Sequence, residues 1–151
     1  MKGKIKRLTP NSVIPSYAKP GDAGMDLTAT SKFFDEYGNI CYGVGLAFEI
    51  PEGYVGLIFP RSSCSKKQLV LANAVAVIDS GFRGEVVMKF KPSIALDGEQ
   101  CVTDKRVYGI YNIGDRIAQM IIMPYPHIEF EETDELSETE RGDGGYGSTG
   151  L

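Results

Sequence analysis

The chain has 151 residues, 42% hydrophobic and 24% charged, which is the range of one globular domain and excludes a disordered or fibrous chain. It carries 20 acidic and 16 basic residues, a net charge of −4, yet residues 129–140 (EFEETDELSETE) hold seven of the acids and no base. The remainder, with 13 acids against 16 bases, suits a small anionic ligand and lacks the strong basic stripe of a nucleic-acid binder.

The basic start (Lys2, Lys4, Lys6, Arg7) leads into no apolar stretch of the signal-peptide kind. No apolar run approaches the ~18 residues that cross a bilayer, so the expected location is the cytoplasm, with no membrane partner. Gly45–Ile50 places Leu46, Phe48 and Ile50 at alternate positions, and Tyr54–Pro60 repeats this with Val55, Leu57 and Phe59. Ser63–Leu69 (SCSKKQL) reads as a helix of about two turns. Glu85–Lys91 sets Val86, Met88 and Phe90 against Val87, Lys89 and Lys91, and Ile117–Met123 is apolar on both faces, as in a fully buried strand. Turn residues recur at Pro20-Gly21, Gly38-Asn39, Glu52-Gly53, Ser80-Gly81, Asp97-Gly98 and Gly114-Asp115. Short strands with regular turns predict an all-β barrel or sandwich with one short helix. The body spans residues 1–128; residues 129–151 form an acidic linker and a glycine-rich, flexible C-terminal arm.

Residue counts narrow the chemistry. One histidine (His127) and three cysteines (Cys41, Cys64, Cys101), none in a C-x-x-C pair, leave too few ligands for an ordinary zinc site and read as reduced thiols. A serine or cysteine enzyme of the triad type would have to use His127, beside Pro126 and a run of acids. In the arm, Gly142, Gly144 and Gly147 match G-x-G-x-x-G, but neither the strand before nor the helix after that a dinucleotide site needs is there. What remains is Arg141, a run of amides, Tyr146, and the hydroxyls of Ser148 and Thr149, a set suited to phosphate and a nucleobase; an unstructured end is the plainer reading. Arg61, Ser62 and Ser63 follow an apolar strand and open the short helix, as an N-cap or as an anion site. Asp79-Ser80-Gly81 is a hairpin turn by composition, while a carboxylate at a strand end also takes a proton from water. Gln119, an amide inside a buried strand, needs a partner.

In order, AGMDL (23–27), PRSS (60–63), LANAVAVIDSGFRGE (71–85), GDRIAQMII (114–122) and RGDGGYGSTG (141–150) resemble the five motifs of the trimeric deoxyuridine triphosphatase (dUTPase) family, over residues 23–150. The resemblance implies a jelly-roll-like β-barrel, a homotrimer with three shared active sites, and hydrolysis of dUTP to dUMP and pyrophosphate with Mg2+ on the triphosphate. By match to the third motif, Asp79 is the general base for water attacking the α-phosphorus. The segment through Asn73, Val77 and Ile78 reads uracil with main-chain groups, and Phe82 lies under the deoxyribose. Arg61, Ser62, Ser63 and Gln119 hold phosphate oxygens, and Asp26 orients water on Mg2+. Tyr146 stacks over uracil while Arg141, Gly147 and Ser148 close on the phosphates.

Residues 129–140 span about 40 Å when extended, enough for the arm of one subunit to reach another's site. The chain departs from the family pattern in Phe82 for the usual tyrosine, Tyr146 for phenylalanine and Ala76 for glycine. The connection 94–112 is longer than usual and carries Cys101, Tyr108 and Tyr111, a candidate surface for a regulatory protein partner. The alternatives are a dCTP deaminase or bifunctional enzyme on the same fold, and a non-catalytic trimer that binds nucleotide or protein.

Overall fold

The computed structural model describes residues 2–92 and 109–145. Their ten strands are β1 (Lys4–Arg7), β2 (Met25–Thr28), β3 (Phe33–Phe34), β4 (Ile40–Gly43), β5 (Leu46–Glu49), β6 (Tyr54–Pro60), β7 (Leu69–Leu71), β8 (Ala76–Ile78), β9 (Val87–Pro92) and β10 (Arg116–Pro124). They form two four-stranded sheets, ordered β2-β10-β6-β8 and β3-β4-β9-β7, and a two-stranded β1-β5 ribbon. All pairings are antiparallel, and from β6 to β10 successive strands alternate between the two larger sheets. The architecture is all-β and jelly-roll-like, as the resemblance implies. No helix among the described residues is long and apolar enough to cross a membrane.

The period of two decides which side chains meet. On β9, Met88 and Phe90 are buried while Lys89 and Lys91 are exposed, as their alternation predicts. These join Leu27 and Met120 from one sheet and Tyr42 and Leu71 from the other in a single core. At its centre the ring of Tyr42 stands edge-on to Phe90 (5.8 Å) and to Tyr111 (6.0 Å). The Tyr42 hydroxyl donates to the buried Tyr111 carbonyl at 2.9 Å, and burial pushes its pKa to about 12. Tyr42→Phe keeps the ring and strands that carbonyl, so we expect a loss of about 1–3 kcal/mol in urea unfolding. A loss below about 0.3 kcal/mol would mean that the carbonyl finds another donor.

Local expectations for the helix, for β10 and for the turn at 79–84 are corrected. The helix over Ser63–Leu69 is a five-residue 3-10 turn, Ser62–Lys66, because Leu69–Leu71 is drawn into a strand against Pro92–Phe90 of β9. On β6 the fully buried positions are Gly56 and Ile58, while Val55, Leu57 and Phe59 are half-exposed on the other face. β10 likewise buries Ile117, Ala118 and Met120 and leaves Ile121 half-buried and Met123 exposed, so it is not buried on both faces. The segment 79–84 makes a turn, with the Phe82 amide donating to the Asp79 carbonyl at 3.0 Å. It is no hairpin, for β8 pairs with β6 in one sheet and β9 with β4 and β7 in the other.

Candidate active site

The residues of the first, second and fourth motifs converge at one end of the β2-β10-β6-β8 sheet. Register sets Asp26 of β2 opposite Gln119 of β10, and Gln119 opposite Phe59 of β6. Arg61 leaves β6 directly beyond, so its guanidinium reaches back across the strand ends. Arg61 Nε donates to Asp26 Oδ1 at 2.7 Å and Nη1 to Ser63 Oγ at 3.2 Å. Arg116 Nη1 donates to the other oxygen, Asp26 Oδ2, at 3.1 Å. Gln119 Nε2 donates to the Pro60 carbonyl at 3.1 Å, which answers where this strand amide finds its partner. Gly24 leaves the room for it, since a Cβ there would stand 2.7 Å from Gln119 Oε1. Asp26, Arg61, Arg116 and Gln119 line an open cleft of about 400 Å³.

Asp22 lines the cleft as well, so its two guanidinium groups stand against two carboxylates, and its fit to an anionic ligand rests on the arginine and amide donors. Arg116 is the member that sequence reading passed over, although it stands three residues before Gln119 in the same motif. Ser62 is exposed and Ser63 half-buried on the 3-10 turn. So short a turn has little dipole, and anion binding here rests on the hydroxyls and on Arg61.

The third motif lies elsewhere. β8 is an edge strand, and the main-chain groups of Ala76–Ile78 that face away from β6 are open to a ligand. Val77 is exposed and Ile78 half-buried; Asn73 is exposed in the β7–β8 connection, where Ala74 takes φ 58°. Asp79 follows β8 and is exposed; the ring of Phe82, also exposed, folds over Gly84. Ser80, Gly81 and Arg83 of this turn border a larger cleft of about 630 Å³ with Lys2 and His127.

Within one chain these two groups do not meet. Ile78 pairs with Gly56 and Ala76 with Ile58, so Asp79 falls level with Val55 while Arg61 lies past the far end of β6. Six residues of strand at about 3.3 Å each put some 20 Å between them. Arg141 is exposed on the arm, where its Nε donates to the Gly144 carbonyl at 3.0 Å. Tyr146, Gly147 and Ser148 lie outside the described residues, as does 94–108 of the long connection.

Among the described residues no group of three or more His, Cys, Asp or Glu side chains is placed to hold a metal ion. Magnesium keeps several of its waters and takes one or two carboxylates plus substrate phosphates. Asp26, keeping lone pairs beyond its two arginine contacts, fits an ion that arrives on a triphosphate and is met through water.

The jelly-roll body with its arginine-lined cleft defines a β protein with a candidate anion site, and comparison with known proteins narrows the class. The dUTPase family model matches residues 11–150. The deoxyuridine 5'-triphosphate nucleotidohydrolase of Rhodococcus erythropolis is 40% identical, over 97% of this chain and 84% of that protein. The enzyme of the same name from Hydrogenobaculum sp. is 36% identical, over 100% of this chain and 99% of its own length. Among solved structures, the dUTPase of Staphylococcus bacteriophage 80alpha with dUPNHPP aligns with a TM-score of 0.83 at 30% identity, over 99% of both chains. A mutant dUTPase from phage phi11 of S. aureus, whose structure details the coordination of a structural Mg(II) ion, aligns at 0.74 and 28%, over 89% of this chain and 98% of that one. The chain belongs to the dUTPase family.

Proposed function

We propose that this chain carries out its reaction, the hydrolysis of dUTP to dUMP and pyrophosphate, in sites shared between the subunits of a homotrimer, with Asp79 as general base. The supporting observation is the distance of about 20 Å, within one chain, between Asp79 and the Arg61 cleft, far beyond hydrogen-bond reach of one reacting phosphate. A second subunit brings the cleft of one chain to the edge strand of another.

In such a site the open main-chain groups near Asn73, Val77 and Ile78 face the uracil edge, and Phe82 lies against the deoxyribose. Asp79 accepts a proton from water, whose oxygen bonds to the α-phosphorus as the bridge to the β-phosphate breaks and pyrophosphate leaves. Arg61, Ser62, Ser63 and Gln119 of the neighbour hold the two phosphates that leave, where negative charge grows during reaction. Arg116 keeps Asp26 in place opposite Arg61. Asp26 would hold a magnesium ion through water, and the ion would supply positive charge to the departing pyrophosphate.

The surface supports the assembly. On the outer face of the β2-β10-β6-β8 sheet, Leu57 lies level with Val77 and Ile121, and Val55 with Met123. Val77 is 59% and Met123 44% exposed, so one chain leaves an apolar row uncovered. Ile128 at the end of the body, and Phe130 (94% exposed) and Leu136 on the arm, are exposed as well, the last two among acids that keep the arm in water.

Arm residues 141–151 supply Arg141, Tyr146, Gly147 and Ser148 as a lid that closes over bound nucleotide and excludes water. A chain ending at Glu140 should remain trimeric by light scattering and lose about 100-fold or more in kcat/KM. Full activity in that truncated trimer would remove the lid from the mechanism.

A pyrophosphate-release assay with magnesium across dUTP, dCTP, dTTP and UTP tests the function itself. Turnover confined to dUTP is the expected result. Ammonia from dCTP would point instead to the deaminase reading, and binding without turnover of any nucleotide to a non-catalytic trimer.

A further inference from the structure

The segment that follows β8 is bonded on both sides of Gly84. Before it, the Phe82 amide donates to the Asp79 carbonyl at 3.0 Å, and Arg83 Nη1 donates to the Ser80 carbonyl and, at 2.9 Å, to the Phe82 carbonyl. After it, the Gly45 amide donates to Glu85 Oε1 at 2.8 Å and the Val86 amide to the Leu46 carbonyl at 3.0 Å. The backbone at Gly84 is therefore held from two directions.

The Phe82 ring rests on that backbone. A Cβ at Gly84 would stand 2.6 Å from Phe82 Cζ, 2.9 Å from Cε2 and 3.5 Å from Cε1, so the tip of the ring occupies the space a side chain would fill. Gly84 itself lies outside the left-handed region, and its φ would accept alanine. What requires glycine here is the ring. Phe82 is 42% exposed, so this seat does not serve to bury the ring in the core. With no hydroxyl at its tip, the ring takes its place from packing alone.

We propose that Gly84 is a positioning residue for the sugar: by carrying no Cβ it lets the Phe82 ring sit low on the backbone, and so sets the depth at which the site receives the deoxyribose. The inference rests on Phe82 lying against the deoxyribose. Ordinary contact between carbon atoms is about 3.5–4.0 Å, so a methyl group at position 84 moves the ring tip by about 1 Å. The backbone on either side is bonded, and the exposed ring is the part that yields.

The test compares Gly84→Ala, Phe82→Ala and the double variant in full-length protein, by kinetics with dUTP and UTP and by thermal unfolding. For Gly84→Ala we expect KM for dUTP to rise about ten-fold with kcat within about three-fold, since a displaced ring weakens the hold on the sugar and leaves the Asp79 turn intact. Its melting temperature should stay within about 2 °C of the parent, because the ring that moves is already exposed. In the Phe82→Ala background the Gly84→Ala change should have no further effect, as no ring remains to be lifted. Phe82→Ala alone should raise KM for dUTP and narrow the preference for dUTP over UTP, which differ only at the 2′ position of the sugar. The proposal is overturned if Gly84→Ala leaves KM within about two-fold, if it raises KM equally with and without the ring, or if the melting temperature falls by more than about 5 °C. An unchanged KM and an unchanged preference in Phe82→Ala would instead remove the ring from the sugar site, and the role of Gly84 with it.

Discussion

Asp79→Asn should abolish most turnover while leaving the nucleotide bound. The substitution keeps the size of the side chain and its ability to accept one hydrogen bond, and removes only its capacity to take a proton from water. Asp79 is exposed and lies in a turn closed by main-chain groups, with the Phe82 amide on the Asp79 carbonyl, so the fold does not depend on its charge. A positioned general base contributes about 10²- to 10⁴-fold, and kcat for dUTP should fall by that factor. Binding of dUpNHpp should stay within about three-fold, because uracil, sugar and the leaving phosphates are held by other groups. Pyrophosphate release, with titration of the analogue on the same sample, reads both quantities. Turnover within two-fold of the parent would exclude Asp79 as the base; loss of analogue affinity in step with turnover would make it a binding residue.

How far the sequence foretold this arrangement depends on the range of the signal. The strands were legible because side chains alternate locally: Met88 and Phe90 go inward and Lys89 and Lys91 outward on β9, as read. On β6 the same rule groups Val55, Leu57 and Phe59 on one face without saying which face is buried. Val55, Leu57 and Phe59 are the larger apolar set, yet Gly56 and Ile58 are the buried ones. Alternation tells which residues share a face, not which face meets the core, and here both faces are apolar. The short helix was misread for a related reason. Lys66, Lys67 and Gln68 favour a helix, but pairing of Leu69–Leu71 with β9 ends it after five residues.

The candidate site divides in the same way. The motifs could be recognised in order along the chain, but order says nothing of separation in space. That Asp26, Arg61 and Gln119 converge follows from β2, β10 and β6 being neighbours, and that Asp79 lies apart follows from the β6–β8 register; both are long-range facts. Arg116 was legible as a charge but not as a partner, since its contact with Asp26 bridges 90 positions of sequence. Tyr111 was read only as part of a long connection. Nothing local tells that its ring packs at the centre of the core against Tyr42 and Phe90.

The separation of Asp79 from Arg61 leads to the strongest test of a shared site. Asp79→Asn lacks the base, and Arg61→Ala lacks the guanidinium that meets Asp26 at 2.7 Å and reaches Ser63. Each homotrimer alone should be nearly inactive. Unfolded together in equal amounts and refolded, the two chains assort at random around a cyclic trimer. A site that takes Asp79 from one chain and Arg61 from the next is intact when an Arg61→Ala chain precedes an Asp79→Asn chain, which holds for about one site in four. The refolded mixture should therefore recover roughly a quarter of the parent activity, from two chains that are nearly inactive apart. A mixture refolded from either variant alone supplies the baseline. If both side chains served one site from the same chain, every site would lack one of them, and the mixture would stay at that baseline. Recovery near one quarter requires the cleft and the edge strand to come from different subunits, because no chain in the mixture carries both groups.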